Sequence, residues 1–173
     1  WSDLHTDYGE NLNRIAELSQ LDFRADSILL AGDISHQVSI VEKTLRLFTH
    51  RFRNVFYVPG NHDLWLYKND YADSLEKLQA LKSVCDNCGV YTTPQRIVDE
   101  HIGITVAPLL SWYRRPEHGA DSLYIPKIGE DATLRMWMDN YRIHWPLPLH
   151  EGAMTDFFIA QNAEHLNLLA SYD

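Results

Sequence analysis

Two short apolar runs constrain the fold of this chain more than any other feature. Ile28-Leu29-Leu30-Ala31 is stopped by Gly32-Asp33, and Val55-Phe56-Tyr57-Val58 is stopped by Pro59-Gly60. Each has the length of a buried strand and ends on turn residues. Between them Val38, Val41, Leu45 and Phe48 recur at helical spacing. Residues 11–20 carry Leu12, Ile15, Ala16 and Leu18 on one face, and Leu75, Leu78, Leu81 and Val84 mark a third helix. This alternation predicts an α/β domain in which a parallel sheet is covered by helices through right-handed, uncrossed connections.

After Gly89 the rhythm changes. Ile97-Val98 and residues 102–106 read as strands set closer together than the first two. From residue 111 to 152, Pro116, Pro126, Pro146 and Pro148 interrupt the pattern while Trp112, Trp137 and Trp145 add bulk. We expect a long connection there, able to cap a site, with a short helix at 131–141. A final helix follows over 155–170.

Composition narrows the class. A chain of 173 residues is the size of one domain. A formal net charge of -9 opposes a phosphate backbone and argues against a broad nucleic-acid surface. No apolar run is long enough to span a bilayer, and WSDLHTDYGE does not read as a signal peptide, so no membrane partner is expected. Cys85 and Cys88 form a lone Cys-x-x-Cys that closes a helical segment and lacks the second pair of a zinc ribbon. They read as reduced structural thiols, consistent with a cytoplasmic setting.

Three pieces carry the chemistry. In a strand, residues i and i+2 share a face, so Asp3 and His5 of Asp3-Leu4-His5 can address one ion. Asp33 follows the first buried run directly, where Gly32 allows a sharp turn. Gly60-Asn61-His62-Asp63 follows the second. The carboxyl ends of parallel strands share the edge where ligands bind, so all three pieces converge. Carboxylates, an imidazole and an amide oxygen suit manganese, iron or zinc. Asp33 has two oxygens with which to bridge a pair of divalent ions, and two ions about 3.5–4 Å apart can drive an in-line displacement at phosphorus. His62 beside Asp63 is suited to protonating a leaving alkoxide.

The order Asp-x-His, Gly-Asp, Gly-Asn-His-Asp resembles the calcineurin-like metallophosphoesterase family, specifically so over the first 63 residues. The resemblance implies part of a four-layered α/β/β/α sandwich with a binuclear centre. It implies Asp3 and His5 on a first metal, Asp33 bridging, Asn61 on a second, and His62 with Asp63 assisting protonation. The implied activity is hydrolysis of a phosphate ester by a metal-bound hydroxide. The family's later strand histidine and Gly-His-x-His motif have no counterpart here, since Gly-His does not occur in the chain. Residues 1–173 are therefore expected to be a single truncated domain that holds its second metal weakly. The competing expectation is a non-catalytic protein-interaction scaffold on the same fold, against which the retention of every early ligand position counts.

Three further residues are substrate-binding candidates. His36 lies three positions after Asp33, and Arg114 and Arg115 follow Trp112-Tyr113, where a guanidinium fork matches two phosphate oxygens. His101, His118, His144, His150 and His165 lack metal-ligand spacing and are expected to be surface or packed histidines.

Overall fold

The computed structural model describes residues 1–68, 70–99, 102–113, 128–129, 137–147, 149 and 151–169. The chain begins with helix α1 (Gly9–Ala16), strand β1 (Ser27–Ala31), helix α2 (Val38–Thr49) and strand β2 (Asn54–Val58). A 3-10 turn over His62–Leu64 leads to helix α3 (Ser74–Cys88), the strands β3 (Gln95–Asp99) and β4 (Ile102–Val106), the short α4 (Asp139–Arg142) and α5 (Glu151–Leu169).

The first half forms as its pattern predicts. β1 and β2 are parallel, in register from Ser27 opposite Asn54 to Ala31 opposite Val58. β2 is buried through Val55, Phe56 and Tyr57, and its other edge takes Tyr91 through a parallel bridge. Buried Val41, Leu45 and Phe48 of α2 join Leu78 and Leu81 of α3 and Ile28 and Leu30 of β1 in one core. That apolar burial is the main force holding the helices on the sheet. Asp73 starts α3 by accepting the amides of Leu75 and Glu76, and Gly89 ends it in the left-handed conformation at φ 70°. Met154 and Phe158 bring α5 into the same core.

Three boundaries and one strand pairing differ from the sequence expectation. α1 starts earlier and stops at Ala16 instead of running to 20, because the Ser19 hydroxyl accepts the amides of Leu21 and Asp22 and turns the chain locally. β3 and β4 make an antiparallel pair, Gln95 opposite Val106, rather than extending a parallel sheet. Two intervening residues are too few for a parallel crossover, which needs a dozen or more. Of the helix expected at 131–141, the described part is α4, with residues 130–136 outside the described set. α5 begins four residues before its expected start.

Cys85 and Cys88 are free thiols on α3, and burial pushes the Cys85 thiol up to about 12. No helix among the described residues is long and apolar enough to cross a membrane.

Candidate metal centre

Strand register decides where the chemistry lands. Because Ala31 faces Val58, Asp33 and Asn61 emerge two and three residues later at the same carboxyl edge. The N-terminal segment joins this edge through its backbone. The Asp3 amide donates to the Gly32 carbonyl (3.2 Å), the His5 amide to Asp33 (2.9 Å) and the Thr6 amide to Ile34 (2.7 Å).

Asp3 and His5 are not in a strand, contrary to the expectation. Both have positive φ, 54° and 43°. Pairing against the turn after β1, rather than a two-residue strand period, brings them to the site. Asp33 is also left-handed at φ 56°, and only Lys68 joins these three among the described non-glycine residues. Such conformations cost of order 1 kcal/mol or more each and persist where neighbours enforce them, typically at functional sites. One ligand atom from each of Asp3, His5 and Asp33 lies within 4.8 Å of the others.

Two glycines let the loops meet. A side chain at Gly60 would put its Cβ 2.2 Å from Asp33 Oδ1, and one at Gly32 (φ 79°) would put it 2.5 Å from the Gly60 nitrogen. Both positions are closed to any Cβ.

Asp63 behaves differently from its expected role of orienting His62. Its buried carboxylate accepts the amides of Asp33 (2.8 Å), Ile34 (2.8 Å), Ser35 (2.9 Å) and Gly60 (2.9 Å). It clasps the loops after β1 and β2 together. Burial pushes its carboxyl up, opposed by the Gly60 and Ser35 amides. Consequently these four amides take the place of the imidazole as its partners.

The carboxylate that faces His62 belongs to Asp7. Asp7 Oδ2 lies 3.6 Å from His62 Nε2 and 3.7 Å from His36 Nδ1. These separations exceed a hydrogen bond. His62 Nε2, His36 Nδ1 and Asp7 Oδ1 are buried without hydrogen-bond partners, and His5, Asp7 and His62 form a second group with ligand atoms within 4.8 Å. Desolvation lowers the His36 pKa, with Asp7 opposing. The His62 ring is held edge-on by His5 (4.8 Å) and Trp65 (4.3 Å), while its amide donates to Asp33 Oδ1 (3.0 Å). Asp7 was missed in the sequence although its spacing continues Asp3-x-His5.

Asn61 Nδ2 donates to Asp139 Oδ1 (2.9 Å), so the amide oxygen is the end turned away from that carboxylate. The Arg142 guanidinium lies 3.9 Å over the Tyr67 ring, and Tyr67 in turn packs on His36 at 4.3 Å. This brings a cation toward the site that no motif announced. Arg114 and Arg115 lie outside the described residues, as do His101, His118 and His150. His165 Nδ1 is within 2.7 Å of the Pro108 carbonyl, packed as expected rather than at the site.

The donor types and the buried partnerless atoms fit divalent cations bound at this edge. Residues 1–153 match the family model described as calcineurin-like phosphoesterase, and the chain belongs to that family. Over 117 residues it is 32% identical to the acyl-carrier-protein phosphodiesterase PptH of Mycobacterium tuberculosis, a match covering 65% of this chain and 36% of that protein. The crystal structure of phosphopantetheinyl hydrolase (PptH) from the same organism shares the mixed α/β fold, with a TM-score of 0.73 at 21% identity over 96% of this chain and 61% of that one. The chain thus spans less than two thirds of that relative's length.

Proposed function

We propose that this chain carries the metal-binding site of a phosphoester hydrolase that uses two divalent ions. The observation that supports this best is the convergence of Asp3, His5 and Asp33, all in left-handed backbone, with ligand atoms within 4.8 Å. Asp3 and His5 would hold one ion, Asp33 would lie between two, and the Asn61 oxygen would serve the second. Manganese, iron and zinc all suit these donors. When bound, the ions polarise a water and offset the charge of the phosphate.

The remaining work falls to the protein's own groups. His62 delivers a proton to the leaving oxygen from Nε2, which is buried without a hydrogen-bond partner, and Asp7 Oδ2 lies 3.6 Å from it, beyond hydrogen-bond reach. Arg142, its guanidinium 3.9 Å over the Tyr67 ring, takes a phosphate oxygen. His36 lines the same wall, and Arg114 and Arg115 are further proposed ligands of the substrate phosphate. We read residues 1–173 as one domain of a layered sandwich.

The relative acts on an acyl-carrier-protein phosphodiester, which directs the choice of substrate. The test uses the full-length protein, stripped of metal, reloaded with Mn²⁺ and offered a phosphopantetheinylated carrier protein and an aryl phosphodiester. Metal-dependent cleavage is expected, falling by about 10²-fold or more in His62→Ala on the alkyl leaving group and less on the aryl one, whose departure needs no proton. Retention of no metal together with cleavage of neither ester would sink the proposal.

A further inference from the structure

We infer that Asp139, in the connection before α5, is a positioning residue for the metal centre, holding the Asn61 amide so that its oxygen faces the second ion. The inference rests on reading Asn61 as a metal ligand. Asp139 is 3% exposed and lies 78 positions from Asn61 in sequence. Its Oδ1 accepts from Asn61 Nδ2 at 2.9 Å and from the Trp65 indole at 2.5 Å, and its Oδ2 accepts from the Tyr113 hydroxyl at 2.9 Å.

The chemistry of these groups fixes the orientation. An ionised carboxylate only accepts, so the amide end turned to it must be the NH₂. The reversed amide would set two oxygens against each other in a buried place. An asparagine side chain on its own has two orientations of similar shape, only one of which offers oxygen to a cation. Asp139 selects that one, as outer partners of metal ligands commonly do.

The carboxylate is itself held. Trp65 packs edge-on against His62 at 4.3 Å. Tyr113 is stacked between Trp112 (5.1 Å) and Trp137 (5.3 Å). Trp112 also meets Trp145 and Phe158, so the stack is rooted in the core beside α5. The connection therefore reaches the metal edge through Tyr113, Asp139 and Asn61, and a displacement of the aromatic stack is transmitted to the ligand.

The test is a Mn²⁺ titration of the metal-free full-length protein, read by calorimetry and by electron paramagnetic resonance, on wild type, Asn61→Ala, Asp139→Ala and Tyr113→Phe. We expect wild type to take two ions. Asp139→Ala, which removes the acceptor of the Asn61 amide, should keep the first with unchanged affinity and bind the second about 10- to 100-fold more weakly, matching the ion lost in Asn61→Ala. Tyr113→Phe should weaken the same ion by a smaller factor. A folded Asp139→Ala with both affinities intact overturns the inference. If that variant fails to fold, unchanged second-site affinity in Tyr113→Phe overturns it instead. Wild type taking no second ion, or Asn61→Ala keeping it, refutes the ligand reading and this inference with it.

Discussion

At the scale of single residues, Asp63 is the most instructive. Four backbone amides from two loops end on its two oxygens. Asp63→Asn turns one acceptor into a donor that faces those N–H groups, leaving buried amides unsatisfied. We expect a loss of about 3 kcal/mol in stability, measured by urea denaturation, and a change well under about 1 kcal/mol would contradict this account. That Asp33, Asn61 and His62 meet at one edge was legible in the sequence because each sits within a few positions of a strand end, where topology alone brings residues together. The partners of Asp63 were not, since a carboxylate beside a histidine looks the same whether it serves the ring or a loop about 30 residues away. Asp139 carries no motif at all, and only the folded chain brings it to Asn61.

At the scale of elements, α3 connects the core to the site through Lys77. Its side chain is fully buried, and its ammonium donates to the carbonyls of His36 (2.6 Å) and Trp65. Burial lowers its pKa from 10.5 to about 8. Below pH 8 both folded and unfolded chains hold the proton, and the folded state bears the full cost of the buried charge. Between pH 8 and 10.5 the unfolded chain binds more protons, so stability should rise with pH by at most about 1.4 kcal/mol per unit. Denaturation of the metal-free protein across this range should show the rise, and Lys77→Met should abolish it. β1, α2, β2 and α3 were legible because their apolar periods are long and clean. The pairing of β3 with β4 depended on connection length, and the early end of α1 depended on one serine hydroxyl, neither of which alters hydrophobic spacing.

At the scale of the whole molecule, the candidate centre draws on residues 3 to 7, 33 to 36, 61 to 63 and 139, which only the folded chain gathers. An ion bound there should stabilise the native state by about 2.7 kcal/mol at a hundredfold excess over its dissociation constant. Thermal unfolding with Mn²⁺, then with excess chelator, should show the melting temperature rise and fall back. An unchanged melting temperature would mean that the folded chain binds the ion no more tightly than the unfolded chain does. The closeness of Gly32 to Gly60 bears on which ions such a centre can take. The loops carrying Asp33 and Asn61 are already in backbone contact, so the distance between them is set by main-chain atoms that cannot yield. A cation of different radius would have to be accommodated by rotation of the carboxylates and the amide. Selectivity among metals would then reside in side-chain torsions, on a frame of constant width.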